Sequence, residues 1–232
     1  VAVGDKVAAR EALVAHPLDA ASTIIRVNAV DSGCFDDDLA AIARTDYRRV
    51  MLAKTETAEQ VRRLEGFEVI ALCETPAGIV NAASIAAERA VVAVMWGAED
   101  LVASLGGTSS RDSDGRYRAV SIHARSSVLI AAGAAGKPAI DSVYVDIPDL
   151  AGLEIEARDA RESGFGATAC IHPSQVPVIR DAYRPTPEEV FFATKLLTAA
   201  EGAHGVFRFE GQMVDEPVLR HARAVLTRAA RL

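Results

Sequence analysis

Aromatic side chains make up only 5% of these 232 residues, and there are just three cysteines. Cys34, Cys73 and Cys170 lie far apart with no C-x-x-C pair, which argues against a disulfide framework or a zinc site and fits reduced thiols. No apolar run approaches the roughly 18 residues that a membrane-spanning helix needs. No secretory leader is visible in these residues either, and a soluble, cytoplasmic protein without a membrane partner is expected. Positive charge is in short supply. Lysine and arginine number 25 against 32 acids, for a net charge of −7, and the two signs are interleaved. Without a concentrated basic patch, nucleic acid is not an expected partner. No G-x-G-x-x-G or P-loop follows any predicted strand, which removes the usual cradles for dinucleotides and nucleoside triphosphates.

What the chain does contain is a large aliphatic complement. Half of it is apolar and a quarter charged, enough for one large α/β domain with a full core. Short β-rich runs alternate with longer segments of helical spacing, and the predicted strands are Thr23–Ala29, Arg48–Lys54, Glu68–Glu74, Ala90–Gly97, Ala139–Asp146 and Ala167–His172. Thr57-Ala58-Glu59-Gln60 reads as a capping box opening a helix that Gly66 closes; Thr186-Pro187-Glu188-Glu189 is a second box with proline in its first turn. Runs such as Val-Val-Ala-Val-Met-Trp are apolar without alternation, as expected of parallel strands covered on both faces. Strand–helix repetition of this kind is compatible with an open, doubly wound sheet or a closed (β/α)8 barrel. The barrel is favoured because polar residues gather at the last positions of several strands, where barrel enzymes keep their chemistry. Only six strands are legible, and the chain opens on a loop running into a helix, so two preceding βα units are expected to be absent from this sequence.

The strand ends hold the candidate chemistry. Glu74 in Ala-Leu-Cys-Glu-Thr-Pro and Asp100 in Trp-Gly-Ala-Glu-Asp-Leu belong to consecutive strands, which run about 4.8 Å apart. Two carboxylates so placed suit one small, hard cation, and Mg²⁺ typically takes one or two of them; the competing role for each is to cap the next helix. Arg26, inside the first apolar strand, requires an anion if buried, either a substrate carboxylate held by both prongs or an acid on a neighbouring strand. Lys54 reads as structural or electrostatic rather than as a Schiff-base lysine, because the acids nearby do not make a dry pocket. His172 before a proline reads as a packing and hydrogen-bonding residue rather than an acid/base, Cys73 and Cys170 as small buried hydrophobes, and Trp96 as core rather than a ligand contact. The segment Gly106–Arg111 is either a phosphate-gripping loop or a plain flexible one. The segment around Glu210–Val218 has the look of an ordered, docked piece of chain.

Taken in order, IIRVNA, VMLAKTE, IALCETPAGI, WGAEDLVASLGG, AIDSVYVDIPDLAGL, ACIHPSQVPVI and EGQMVDEPVLRHA resemble the citrate lyase beta-subunit-like branch of the HpcH/HpaI aldolase family. The resemblance runs nearly from end to end and implies a TIM barrel over residues 1–190, N-terminally incomplete. A C-terminal helical extension, 191–232, would dock on a neighbouring subunit of a homotrimer. It implies a Mg²⁺-dependent lyase that cleaves or forms β-hydroxyacyl-CoA thioesters such as malyl-CoA or citramalyl-CoA, giving an acyl-CoA and a small keto acid. By the same resemblance Glu74 and Asp100 are the metal ligands, Arg26 contacts the carboxylated substrate, and Gly97, Ala98 and Glu99 line the pocket with them. Asp215 would act catalytically from a neighbouring subunit; from spacing alone the favoured reading is instead the cap of a terminal helix starting around there, two residues before Pro217. Two features depart from the family pattern. The first two strands have no counterpart, and Ala53 stands where proline commonly precedes the lysine. The functional alternatives are a stand-alone CoA-thioester lyase, a citrate lyase beta-type subunit working on a carrier-bound thioester, and a non-catalytic ligand-binding relative.

Overall fold

The computed structural model describes residues 1–203 and 205–230. Its strands are β1 (Ile25–Val27), β2 (Arg49–Leu52), β3 (Glu68–Cys73), β4 (Val91–Trp96), β5 (Ala139–Asp141) and β6 (Ala167–Thr168), followed by a hairpin of β7 (Phe207–Phe209) and β8 (Gln212–Val214). The helices are α1 (Lys6–Ala15), α2 (Phe35–Ile42), α3 (Ala58–Arg62), α4 (Pro76–Val80), α5 (Ala82–Ala87), α6 (Ala98–Ser104), α7 (Ala119–Ala134), α8 (Leu150–Ser163), α9 (Gln175–Tyr183), α10 (Pro187–Ala200) and α11 (Glu216–Ala229). Among the described residues no helix is long and apolar enough to cross a membrane.

All six expected strands form, each shorter than its apolar run. The two capping boxes form as read: the Thr57 hydroxyl accepts from the Gln60 amide and the Thr186 hydroxyl from the Glu189 amide. The first helix stops at Arg62, with Gly66 supplying the left-handed turn (φ 91°) beyond it. The hairpin is an addition. Glu210 and Gly211 at its tip both have positive φ, 46° and 87°, the condition for a tight two-residue turn that matches strand twist.

β1 to β6 make one parallel sheet in sequential order, each strand pairing with the one before it. A doubly wound sheet reverses direction at a switch point; this one does not. Successive residues of β3 point to opposite faces. Val69, Ala71 and Cys73 join the large core with helical residues such as Ile85, Leu101 and Val128. Ile70 and Leu72 pack instead with Ala93 and Met95, flanked by Met51, Ile140, Val143 and Ala169. Among the described residues no helix contributes to this second cluster, although Ile70 and Leu72 are only 3% and 2% exposed. The second face of the sheet is thus buried without helical cover among the described residues.

The C-terminal segment has a small core of its own, in which Ala193 and Leu196 of α10 meet Val214 of β8 and Ala222 of α11. Residues 190 and 191, where the extension was expected to begin, lie inside α10.

Candidate active site

Glu74 occupies the single-residue gap between β3 and the N-cap of α4. Thr75 caps α4, its hydroxyl accepting from the Gly78 amide at 3.2 Å, and Pro76 fills the first helical position. Glu74 is thereby relieved of a capping role and its carboxylate stays in the sheet end, 4% exposed. Across from it runs Gly97, whose missing side chain makes room: a Cβ there would lie 2.8 Å from the Glu74 Cβ and 2.9 Å from its Oε2. Asp100 stands in the first turn of α6, not in the strand, and α6 has no side-chain cap at Gly97. Neither acid, therefore, is spent on capping.

The two carboxylates meet Arg26, Asn28 and Lys54 around one cleft of about 460 Å³. The Lys54 amide donates to Glu74 Oε1 at 3.1 Å, and its ammonium pairs with Asp100 Oδ1 at 3.2 Å. Burial, reinforced by the negative charge of Asp100, pushes the Glu74 carboxyl above its ordinary value, and the Lys54 amide and the charges of Arg26 and Lys54 offset part of this. Asn28 is fixed by Asp38, which accepts from its amide and side-chain nitrogens at 2.9 and 2.6 Å, and by Lys6, which donates to its oxygen. Arg26 differs from expectation in being exposed, because it projects from the short edge strand β1. Among the described residues its side chain has no ion-pair or hydrogen-bond partner, and it acts on Glu74 through its charge alone. A guanidinium left free beside two acids is available to an anionic ligand.

Several residues that brace this cleft escaped the sequence reading. Ser142, 2% exposed just past β5, accepts the Ala98 amide at 3.2 Å, so the first amide of α6 is held internally. Asp141 beside it accepts from the Trp96 indole, the Ser142 amide and the Arg125 guanidinium, tying α7 to β4 and β5. The Ser110 hydroxyl donates to Glu99, and Arg111 grips Glu156 with 2.7 and 3.0 Å contacts while stacking 3.8 Å above the Tyr117 ring. The Asp-Ser pair ending an apolar strand is the same kind of signal that drew attention to Glu74; nothing local in the sequence marks Arg125 or Glu156.

Other expectations divide between those that hold and those that need correction. Arg111 is committed to Glu156 and Tyr117, which removes the one cation of the 106–111 loop from phosphate binding. Cys170 is exposed, because β6 ends at Thr168 and leaves it on the following turn, whereas Cys73 is buried and its thiol is pushed up to about 12 by burial and the Glu74 charge. Trp96 is core, fully buried, with Tyr117 edge-on at 5.2 Å. His172 is exposed rather than packed, its ring hydrogen-bonding to Ser174 and its carbonyl accepting from the Gln175 amide. Asp215 caps α11, accepting from the Val218 amide at 3.4 Å, and does not line the cleft of its own chain.

A family model described as HpcH/HpaI aldolase/citrate lyase matches residues 1–173. The chain is 53% identical over 229 residues to a citrate lyase subunit beta-like protein of Mycobacterium tuberculosis, covering 99% of this chain and 84% of the relative. It is 32% identical over 234 residues to the mitochondrial citramalyl-CoA lyase of Rattus norvegicus, covering 88% of this chain and 68% of the relative. A crystal structure of protein CitE from Mycobacterium tuberculosis, in complex with magnesium, acetoacetate and coenzyme A, superposes with a TM-score of 0.95 at 53% identity, covering 99% of this chain and 86% of that one.

Proposed function

The chain belongs to the HpcH/HpaI aldolase/citrate lyase family, and from that premise we propose that it is a Mg²⁺-dependent carbon–carbon lyase acting on a β-hydroxyacyl-CoA thioester such as malyl-CoA or citramalyl-CoA. The observation that carries this reading is the unpaired Arg26 facing the same cleft as Glu74 and Asp100. Two carboxylates, one buried with a single amide donor and raised in pKa by that burial and by its neighbour's charge, are a donor set that suits a hard divalent cation. Glu74 and Asp100 would hold Mg²⁺, which when bound supplies Lewis-acid polarisation of the substrate's hydroxyl or keto oxygen.

This chain's own residues account for the rest. Arg26 grips the substrate carboxylate and fixes its orientation. Gly97, Ala98 and Glu99, expected to contact the substrate, lead into Asp100 at the start of α6 but do not themselves line this cleft; Ser142, with Asp141 behind it, holds that turn of α6 in place. A carboxylate oxygen of Asp215 from a neighbouring subunit takes the β-hydroxyl proton. The Cα–Cβ bond then breaks, its electron pair passing to the thioester as an enolate while the hydroxyl carbon becomes the carbonyl of the keto acid. In the reverse direction the same residues present the keto acid to an acyl-CoA enolate. The sequential sheet, with helices on one face and strand-on-strand packing on the other, supports a barrel architecture, and the separate α10–α11 core supports an extension that docks on a neighbour in a trimer.

Purified protein incubated with malyl-CoA or citramalyl-CoA and Mg²⁺ is expected to release a keto acid and an acyl-CoA, and Glu74→Gln is expected to stop it. Likeness to a citrate lyase subunit beta-like protein favours a second reading, a subunit that acts on a carrier-bound thioester. Cleavage of free acyl-CoA by this chain alone eliminates an obligatory carrier. No cleavage of any carboxylated acyl-CoA, with or without a carrier protein, would overturn both.

A further inference from the structure

Lys54 is one of two non-glycine residues with positive φ, 51°, among the described residues, and it lies in the cleft, whereas the other, Glu210, turns a hairpin. Backbone of this kind is rare for a residue with a Cβ and persists only when its surroundings enforce it. They do so here. The next residue, Thr55, is fully buried, its amide donating to the Leu72 carbonyl at 2.9 Å and its hydroxyl to the Leu52 carbonyl at 2.8 Å. On the far side Gly78 packs so closely on the Thr55 carbonyl that a Cβ there would approach to 2.4 Å. The sharp turn at the end of β2 places two different groups of one residue on the two acids of the cleft: the Lys54 amide on Glu74 and its ammonium on Asp100.

The two contacts differ in kind. The amide is neutral and is anchored by the buried turn. The ammonium is a mobile charge on a flexible stem, half exposed (49%), as is its partner Asp100 (49%). A divalent cation shared by Glu74 and Asp100 would meet that ammonium on the same carboxylate, and the two positive charges repel at short range.

We propose that Lys54 is an internal counter-cation that stands in on Asp100 when the metal is absent, so that it keeps the two acids together and competes with the metal for entry. This rests on the reading of Glu74 and Asp100 as a metal site. Removing the ammonium should therefore tighten metal binding rather than weaken it. Exposed ion pairs of this type correspond to factors of roughly 1.5 to 5 in an equilibrium constant, and the gain should shrink as salt is raised.

The test is titration of the full chain with Mn²⁺ alone, without substrate, followed by calorimetry or by the electron paramagnetic resonance of the free ion. Lys54→Gly retains the amide and suits the positive φ; Lys54→Met is a second variant that retains the bulk. Both are expected to bind Mn²⁺ about two- to fivefold more tightly than the unmodified protein at low salt, and Glu74→Gln is expected to lose binding. Binding that disappears in Glu74→Gln but is equal or weaker in both Lys54 variants overturns the competition while leaving the metal site intact. No Mn²⁺ binding in the unmodified protein, or binding indifferent to Glu74→Gln, overturns both.

Discussion

Gly97→Ala is the smallest change that separates the site from the fold. The Gly97 backbone is extended (φ −127°, ψ 120°), a conformation alanine adopts freely, so the substitution carries no backbone strain. Its whole effect is steric and falls on Glu74, whose Cβ and Oε2 would lie 2.8 and 2.9 Å from the new methyl group. Ordinary contacts between such atoms begin several tenths of an ångström further out, so Glu74 must move or the strands must part. Overpacking of this size costs about 1–3 kcal/mol. In open space the same substitution would instead stabilise by roughly 0.4–1 kcal/mol, through the lower entropy of the unfolded chain, so the two cases differ in sign. Relief by rotating Glu74 sacrifices its 3.1 Å bond from the Lys54 amide and its place beside Asp100. The expected outcome is a lower melting temperature together with metal binding weakened by about tenfold or more, since each 1.4 kcal/mol is a factor of ten. Thermal melts with and without Mg²⁺ and a Mg²⁺ titration of lyase activity measure both. Unchanged metal dependence with a raised melting temperature would refute the claim that Gly97 makes room for Glu74.

Three further outcomes follow from the same geometry. Arg26→Lys retains the charge but loses the planar two-pronged grip, and it should sharply lower turnover with little change in melting temperature, because Arg26 is exposed and braces no neighbour among the described residues; normal turnover would remove it from substrate binding. Inactive Asp215→Ala and Glu74→Gln proteins, mixed under conditions of proven subunit exchange, should regain activity if Asp215 serves a neighbour's cleft; no recovery would assign it to its own chain or to the α11 cap alone. Glu74 is raised above its ordinary value by burial and by Asp100, so its contribution to folding is fully present below the unfolded pKa and is lost as pH rises through the folded one. Metal-free protein should thus lose stability across that interval relative to Glu74→Gln, as measured by chemical unfolding at a series of pH values, and parallel curves would contradict the raised value.

Much of this molecule is decided by local chemistry that a sequence carries openly. Apolar runs of the right length place all six parallel strands, and Thr57 with Gln60 and Thr186 with Glu189 form their capping boxes because the partners are only three residues apart. Glu74 and Asp100 were legible as a pair because a polar residue following an apolar strand has few reasons to be there other than a cap or a site. The hairpin of β7 and β8 escaped because its strands are three residues long and its Glu-Gly turn is a weak signal. What only the tertiary structure decided is anything that joins residues distant in the chain. That Glu74 is free of capping depends on Thr75 being the cap, and that Arg26 has no acidic partner among the described residues goes with β1 lying at the edge of the sheet. Lys54 bridges two acids 20 and 46 residues away because a buried threonine enforces its turn. Arg125 reaches Asp141 only once α7 packs on β5. Periodicity and caps act over one turn or one strand, whereas charge pairing and steric fit act through space, where sequence distance carries no information.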